Sequence, residues 1–110
     1  SQSKGLCWPA SCDSIPSSQG QEDHVSMGSN AATKLWKVCQ NTERVLAIGL
    51  MNSAQALEFR HKMSGLNSSA SVEAMFEAYR NVVPFVADDT VMYPHIATSV
   101  NFLNDYELAR

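Results

Sequence analysis

No proline interrupts residues 17–83, and from about Ser29 to Ser64 the apolar residues recur at a helical spacing. Leu35, Val38, Cys39, Val45, Leu46, Ala56 and Leu57 keep a period near 3.6, while Ala, Leu, Glu, Lys and Gln supply good intrinsic propensity. Ser29 or Asn30 suits an N-cap. Ser64-Gly65 suits a stop, with His61 and Lys62 in a last turn where cations complement the helix dipole. Between Val45 and Met51 the segment is apolar around its whole circumference, the mark of a helix buried on all sides. Thirty-odd residues reach roughly 50 Å as a helix. A compact domain of about 100 residues has a radius of gyration of only about 13 Å. A chain of 110 residues cannot wrap such a helix by itself, so surface from a longer polypeptide or from other subunits is expected to cover it.

Two shorter helices follow. One is expected to start at Ser69 or Ser71 with Glu73 in its first turn, to carry Val72, Met75, Phe76, Tyr79 and Val83 on one face, and to stop before Pro84. The next begins near Pro94, a residue suited to a first helical position, and buries Ile96, Val100, Leu103 and Tyr106. The first thirty residues are rich in Ser and Gly and poor in large apolar side chains, so they bury too little surface to offset their own ordering. No convincing strand appears anywhere. The expected fold is all-α: a long central-bundle helix plus two shorter helices, preceded by a long irregular loop. The expected division is a loop segment over residues 1–28 and a helical region over residues 29–110.

A formal charge of −3 and the lack of any Lys/Arg cluster argue against a nucleic-acid partner or an anionic membrane surface. The longest apolar run, Val45 to Met51, is far short of the roughly 20 residues a bilayer-spanning helix needs, so a soluble chain with no membrane partner is expected. The first residue is Ser1 rather than Met, which suggests a processed product or a piece of something longer. Cys7, Cys12 and Cys39 are odd in number, which favours a reducing compartment and makes the cytoplasm the expected location. Cys7, Cys12 and His24 could suggest zinc, but the two cysteines have four residues between them and no second pair follows. No metal is expected.

The densest group of functional side chains is Gln21-Glu22-Asp23-His24, between the Ser/Gly-rich loop and the long helix. Carboxylates there can simply cap a first turn, with Asp23 the better candidate and Ser26 another. The functional alternative is a loop that presents Glu22 as a base or cation-binding carboxylate from a rigid helix end. No plausible Ser/His/Asp set, Cys/His pair or Gly-rich phosphate loop accompanies it. His61 and His95 read as surface residues, and Met51, Met63 and Met75 as core.

The string Ser14-Ile15-Pro16-Ser17-Ser18-Gln19-Gly20-Gln21-Glu22-Asp23-His24-Val25-Ser26-Met27-Gly28 is followed by Asn41-Thr42-Glu43-Arg44-Val45-Leu46-Ala47-Ile48 and Ala54-Gln55-Ala56-Leu57-Glu58-Phe59-Arg60. Together with Val82-Val83-Pro84-Phe85, these segments resemble the C-terminal part of the histidine ammonia-lyases, within the aromatic amino acid lyase family. The resemblance covers nearly all of residues 7–105, and the loop motif is highly specific to that family. It implies an all-α, cytoplasmic homotetramer that converts L-histidine to trans-urocanate and ammonia in the first step of histidine breakdown. It also implies a methylidene-imidazolone electrophile, made autocatalytically from Ala-Ser-Gly. No Ala-Ser-Gly occurs here, and the nearest string, Met63-Ser64-Gly65, reads as a helix C-cap, so the electrophile would lie outside this chain, in an N-terminal remainder.

By the same resemblance Glu22 matches the active-site glutamate proposed to meet the substrate's imidazole or amino group and to assist proton transfer, where phenylalanine-specific relatives carry glutamine. Catalytic and substrate-binding roles thus fall to Glu22. Gln21, beside it, is a further substrate-side candidate or, like Asp23, a support for the loop. Trp8 stands where histidine is usual, and Gln19-Gly20 replaces the more frequent Ala-Asn. These departures leave open a tyrosine or phenylalanine ammonia-lyase or an aromatic aminomutase. From a different class, a non-catalytic helical oligomerisation module would explain the apolar girdle equally well. The chain alone is expected to be inactive.

Overall fold

The computed structural model describes residues 1–107. Four helices run in chain order: α1 (Gln2–Gly5), α2 (Gly28–Ser64), α3 (Ala70–Arg80) and α4 (Tyr93–Asp105), with short 3-10 turns at Ala10–Asp13 and Ser18–Gly20. Among the described residues there is no strand ladder, only an isolated antiparallel bridge between Ser17 and Glu22. The all-α expectation therefore holds. The segment expected as one irregular loop contains three short helical turns. The chain divides into two compact units, Ser1–Thr42 and a second from Glu43 onward, with the division falling inside α2.

In the second unit, α2 ends as its sequence suggests. Gly65 takes a left-handed φ of +65°, and its amide donates to the His61 carbonyl at 2.9 Å. Ser69 occupies the N-cap position of α3 without a side-chain cap bond, and the Glu73 carboxylate in the first turn accepts from the Ser68 amide and meets His61 Nε2 at 3.0 Å. His61 is thus no surface residue. Its side chain is only 20% exposed and its ring edge packs on Phe76, because the turn at Gly65 folds α3 back along the last turns of α2. Pro94 lies in the first turn of α4, as expected.

The core is small. Met51, Ala54, Tyr79 and Val83 form its centre, and Leu50, Phe76, Met92, Ile96 and Phe102 pack around them. Along α2 the inward stripe runs Ala47, Met51, Ala54, with Glu58 and His61 continuing it at the same spacing of three and four. Met63, expected in the core, sits about 200° around the helix from His61 and is 86% exposed. Val72 and Leu103 stay at the rim, and Tyr106 lies just past the end of α4. His95, read as a surface residue, is half-buried, and its carbonyl accepts from Ser99 at 2.7 Å.

The buried polar pair at the centre was not anticipated. Ser99 has no exposed surface. Its hydroxyl donates to the His95 carbonyl, and the Tyr79 hydroxyl donates to it at 2.7 Å. Both hydroxyls are therefore satisfied where water is absent. Burial pushes the Tyr79 phenol above its ordinary value, partly offset by the Ser99 hydrogen bond and the Arg80 charge. Arg80 pairs with Glu58 at 2.9 Å, reaches the Val83 and Pro84 carbonyls, and lies over Phe76 and Phe85.

The girdle of α2 is covered on one side only. Ala47 is fully buried and Met51 nearly so, whereas Val45 is 68% and Leu46 59% exposed.

Candidate active-site loop

The Gln21–His24 group lies in the first unit, on a loop whose geometry is set at three levels. At its base, the Ser14 hydroxyl accepts from the Val25 amide and donates to the Val25 carbonyl, both at 3.0 Å. One side chain thereby satisfies both backbone groups of a residue across the loop. At its tip, Ser17 and Glu22 form the isolated bridge, with Ser17 N donating to Glu22 O at 2.9 Å and Glu22 N to Ser17 O at 3.3 Å. Between them the chain reverses through three successive positive-φ residues, Ser18 (+54°), Gln19 (+56°) and Gly20 (+85°). Gly20 adopts this region without strain. Ser18 and Gln19 do not, because a Cβ in the left-handed region crowds the following carbonyl at about 1–2 kcal/mol per residue.

The third level is the carboxylate itself. Ser17 Oγ donates to Glu22 Oε2 at 3.0 Å, while the Glu22 side chain remains exposed. Gln21 closes the turn through its amide, which donates to Ser18 O at 3.2 Å, and its side chain is exposed, as are Asp23 and His24. An acidic cap is not realised: α2 starts at Gly28, five residues past Asp23, and its first turn carries no acidic residue. Chemically, the loop offers solvent a carboxylate whose orientation is fixed by a neighbouring hydroxyl and by a rigid reversal. Among the described residues no three His, Cys, Asp or Glu side chains come together as a metal site.

Sequence reasoning singled out Glu22 as a candidate and did not mark Ser17, which the structure places beside it. Ser17 is one serine among many in a Ser-rich stretch, and only Gly20 of the three reversing residues signals a positive φ.

The profile of the family described as "Aromatic amino acid lyase" matches residues 1–81. The chain belongs to that family. It is 47% identical over 103 residues to the histidine ammonia-lyase of Sorangium cellulosum, covering 94% of this chain and 20% of that protein. It is 45% identical over 109 residues to the histidine ammonia-lyase of Gloeobacter violaceus, covering 98% of this chain and again 20% of the relative. Among solved structures, a histidine ammonia-lyase from Trypanosoma cruzi superposes with a TM-score of 0.81 at 37% identity, covering 92% of this chain and 20% of that one. The chain therefore spans about a fifth of the length of the lyases it matches. The matched family region contains the whole of the Ser14–Val25 loop.

Proposed function

We propose that these residues form part of a histidine ammonia-lyase, to which they contribute Glu22. The carrying observation is the exposed Glu22 carboxylate, held by Ser17 on a rigid turn inside the family-matched region. A carboxylate only accepts hydrogen bonds, so it suits an imidazole N–H or an ammonium group, the two donors that L-histidine presents. In the reaction the Cα–N bond and one Cβ–H bond break, giving ammonia and trans-urocanate. Glu22 orients the substrate and assists movement of the proton, and Gln21 supports the loop on the substrate side.

The methylidene-imidazolone group implied by the family serves as the electrophile that activates the amino acid toward loss of ammonia. This chain does not fit as its source. It has no Ala-Ser-Gly, and in Met63-Ser64-Gly65 the Ser64 hydroxyl donates to Arg60 O while Gly65 occupies the left-handed cap of α2. The group would be formed by another part of the polypeptide.

The same reading takes the assembly to be a cytoplasmic homotetramer. Supporting it are the exposed Val45 and Leu46, a groove lined by Arg44, Ile48, Tyr93, Ile96 and Val100, and three exposed free thiols, which a reducing compartment preserves. The N-terminal remainder and other subunits would cover the apolar faces. The test is Glu22→Gln in the full-length polypeptide: kcat for L-histidine falls by about 100-fold or more, the scale of a lost acid–base group. A kcat within twofold of the parent refutes the role.

A further inference from the structure

The geometry points to Ser17 as the residue that positions the Glu22 carboxylate for substrate, an inference that rests on the functional reading of Glu22. Four observations converge on this one pair. Ser17 Oγ donates to Glu22 Oε2 at 3.0 Å, and the two backbones exchange hydrogen bonds in both directions. Ser17 is half-buried whereas Glu22 is exposed, so the hydroxyl belongs to the more enclosed residue of the pair. The other Glu22 oxygen, Oε1, has no hydrogen-bond partner among the described residues, and the side chain is exposed. The reversal joining the pair places two non-glycine residues, Ser18 and Gln19, in the left-handed region. Backbone strain of this kind persists where the surroundings over-determine it, and in this loop it sets the distance between a hydroxyl and a carboxylate.

A glutamate side chain has three rotatable torsions and, unheld, spreads over many rotamers. A charge-assisted hydrogen bond from Ser17 selects one of them before substrate arrives, and a group already oriented need not be ordered during the reaction. Ser17 has an extended backbone, φ −134° and ψ −178°, a region in which β-branched residues are at ease. Threonine can therefore carry the same hydroxyl there, and valine can fill the same space without it.

The experiment uses the full-length polypeptide and follows kcat and KM for L-histidine, with melting temperature as a folding check. Ser17→Val and Ser17→Ala each lower kcat/KM by about tenfold, the scale of one hydrogen bond to a charged group. Ser17→Thr stays within about twofold of the parent. In a Glu22→Gln background, Ser17→Val changes kcat/KM by less than twofold, because the carboxylate it would have held is gone. If Ser17→Val and Ser17→Thr behave alike, or if the loss is as large with Glu22→Gln as without it, Ser17 is not a positioning residue while the role of Glu22 stands. If Glu22→Gln itself leaves turnover unchanged, both readings fall.

Discussion

The two units of this chain are held together by different physics. From Glu43 onward a packed centre of Met51, Ala54, Tyr79 and Val83 excludes water and carries a satisfied Tyr79–Ser99 pair. Residues 1–42 contain no buried residue at all, and their shape comes from hydrogen bonds and backbone reversals: Ser14 on Val25, Asn41 on Gln2 and Ser3, Lys34 on the Trp8 carbonyl, and the left-handed turn at Ser18–Gly20. The difference teaches that side-chain volume governs tolerance in one unit and backbone conformation governs it in the other. The candidate chemistry sits in the unit without a core, where a rigid turn must do what packing does elsewhere.

The contrast can be broken most directly at Tyr79. Tyr79→Ala removes the largest fully buried side chain and is expected to destabilise the second unit by about 3–5 kcal/mol, read by urea unfolding followed by circular dichroism. A loss below about 1 kcal/mol would mean that this centre is not what holds the unit. In the first unit the corresponding test is Gly20→Ala. A Cβ there meets no atom within 4 Å, so any cost is purely conformational, about 1–2 kcal/mol from the φ of +85°. Hydrogen exchange of the Ser17 and Glu22 amides should accelerate about tenfold while the Tyr79 and Ser99 amides keep their protection.

Tyr79→Phe gives a smaller, pH-dependent effect. In the folded chain the Tyr79 phenol titrates above its ordinary value, so above about pH 10 the unfolded chain loses that proton first. Stability is therefore full below that pH and declines as pH rises toward the folded value. Near neutral pH, Tyr79→Phe costs about 1 kcal/mol for the hydrogen bond to Ser99. It also removes the alkaline decline attributable to this residue. An unchanged alkaline slope would place the proton release elsewhere.

The helical frame was legible because its signals are local and repeated. Periodicity marked α2, Gly65 its end, Ser69 or Ser71 the start of α3, which falls just after Ser69, and Pro94 the start of α4. Where a stripe meets its neighbours was less legible. Met63 and His61 exchanged their expected roles because a two-residue offset on a helix is slightly more than half a turn, and only the position of α3 decides which side is covered. Ser99 was invisible because a buried serine depends on a hydroxyl twenty residues away in sequence. In the loop, Glu22 stood out as a carboxylate in a specific motif, whereas Ser17 acquires its meaning only once Ser18, Gln19 and Gly20 have turned the chain back on itself.

Ser14 has one more consequence. Its hydroxyl serves the amide and the carbonyl of Val25 at once, standing in for the backbone of an absent strand partner. The stretch from Ser14 to Val25 is thereby a closed ring with a fixed circumference, fastened at the clasp by a single oxygen. Side chains that take no part in the clasp, the reversal or the Ser17–Glu22 pair can change with little penalty, whereas one more or one fewer link would open the clasp or pull the Ser17–Glu22 bridge out of step. The length of such a loop is bound more tightly than the letters at its free positions.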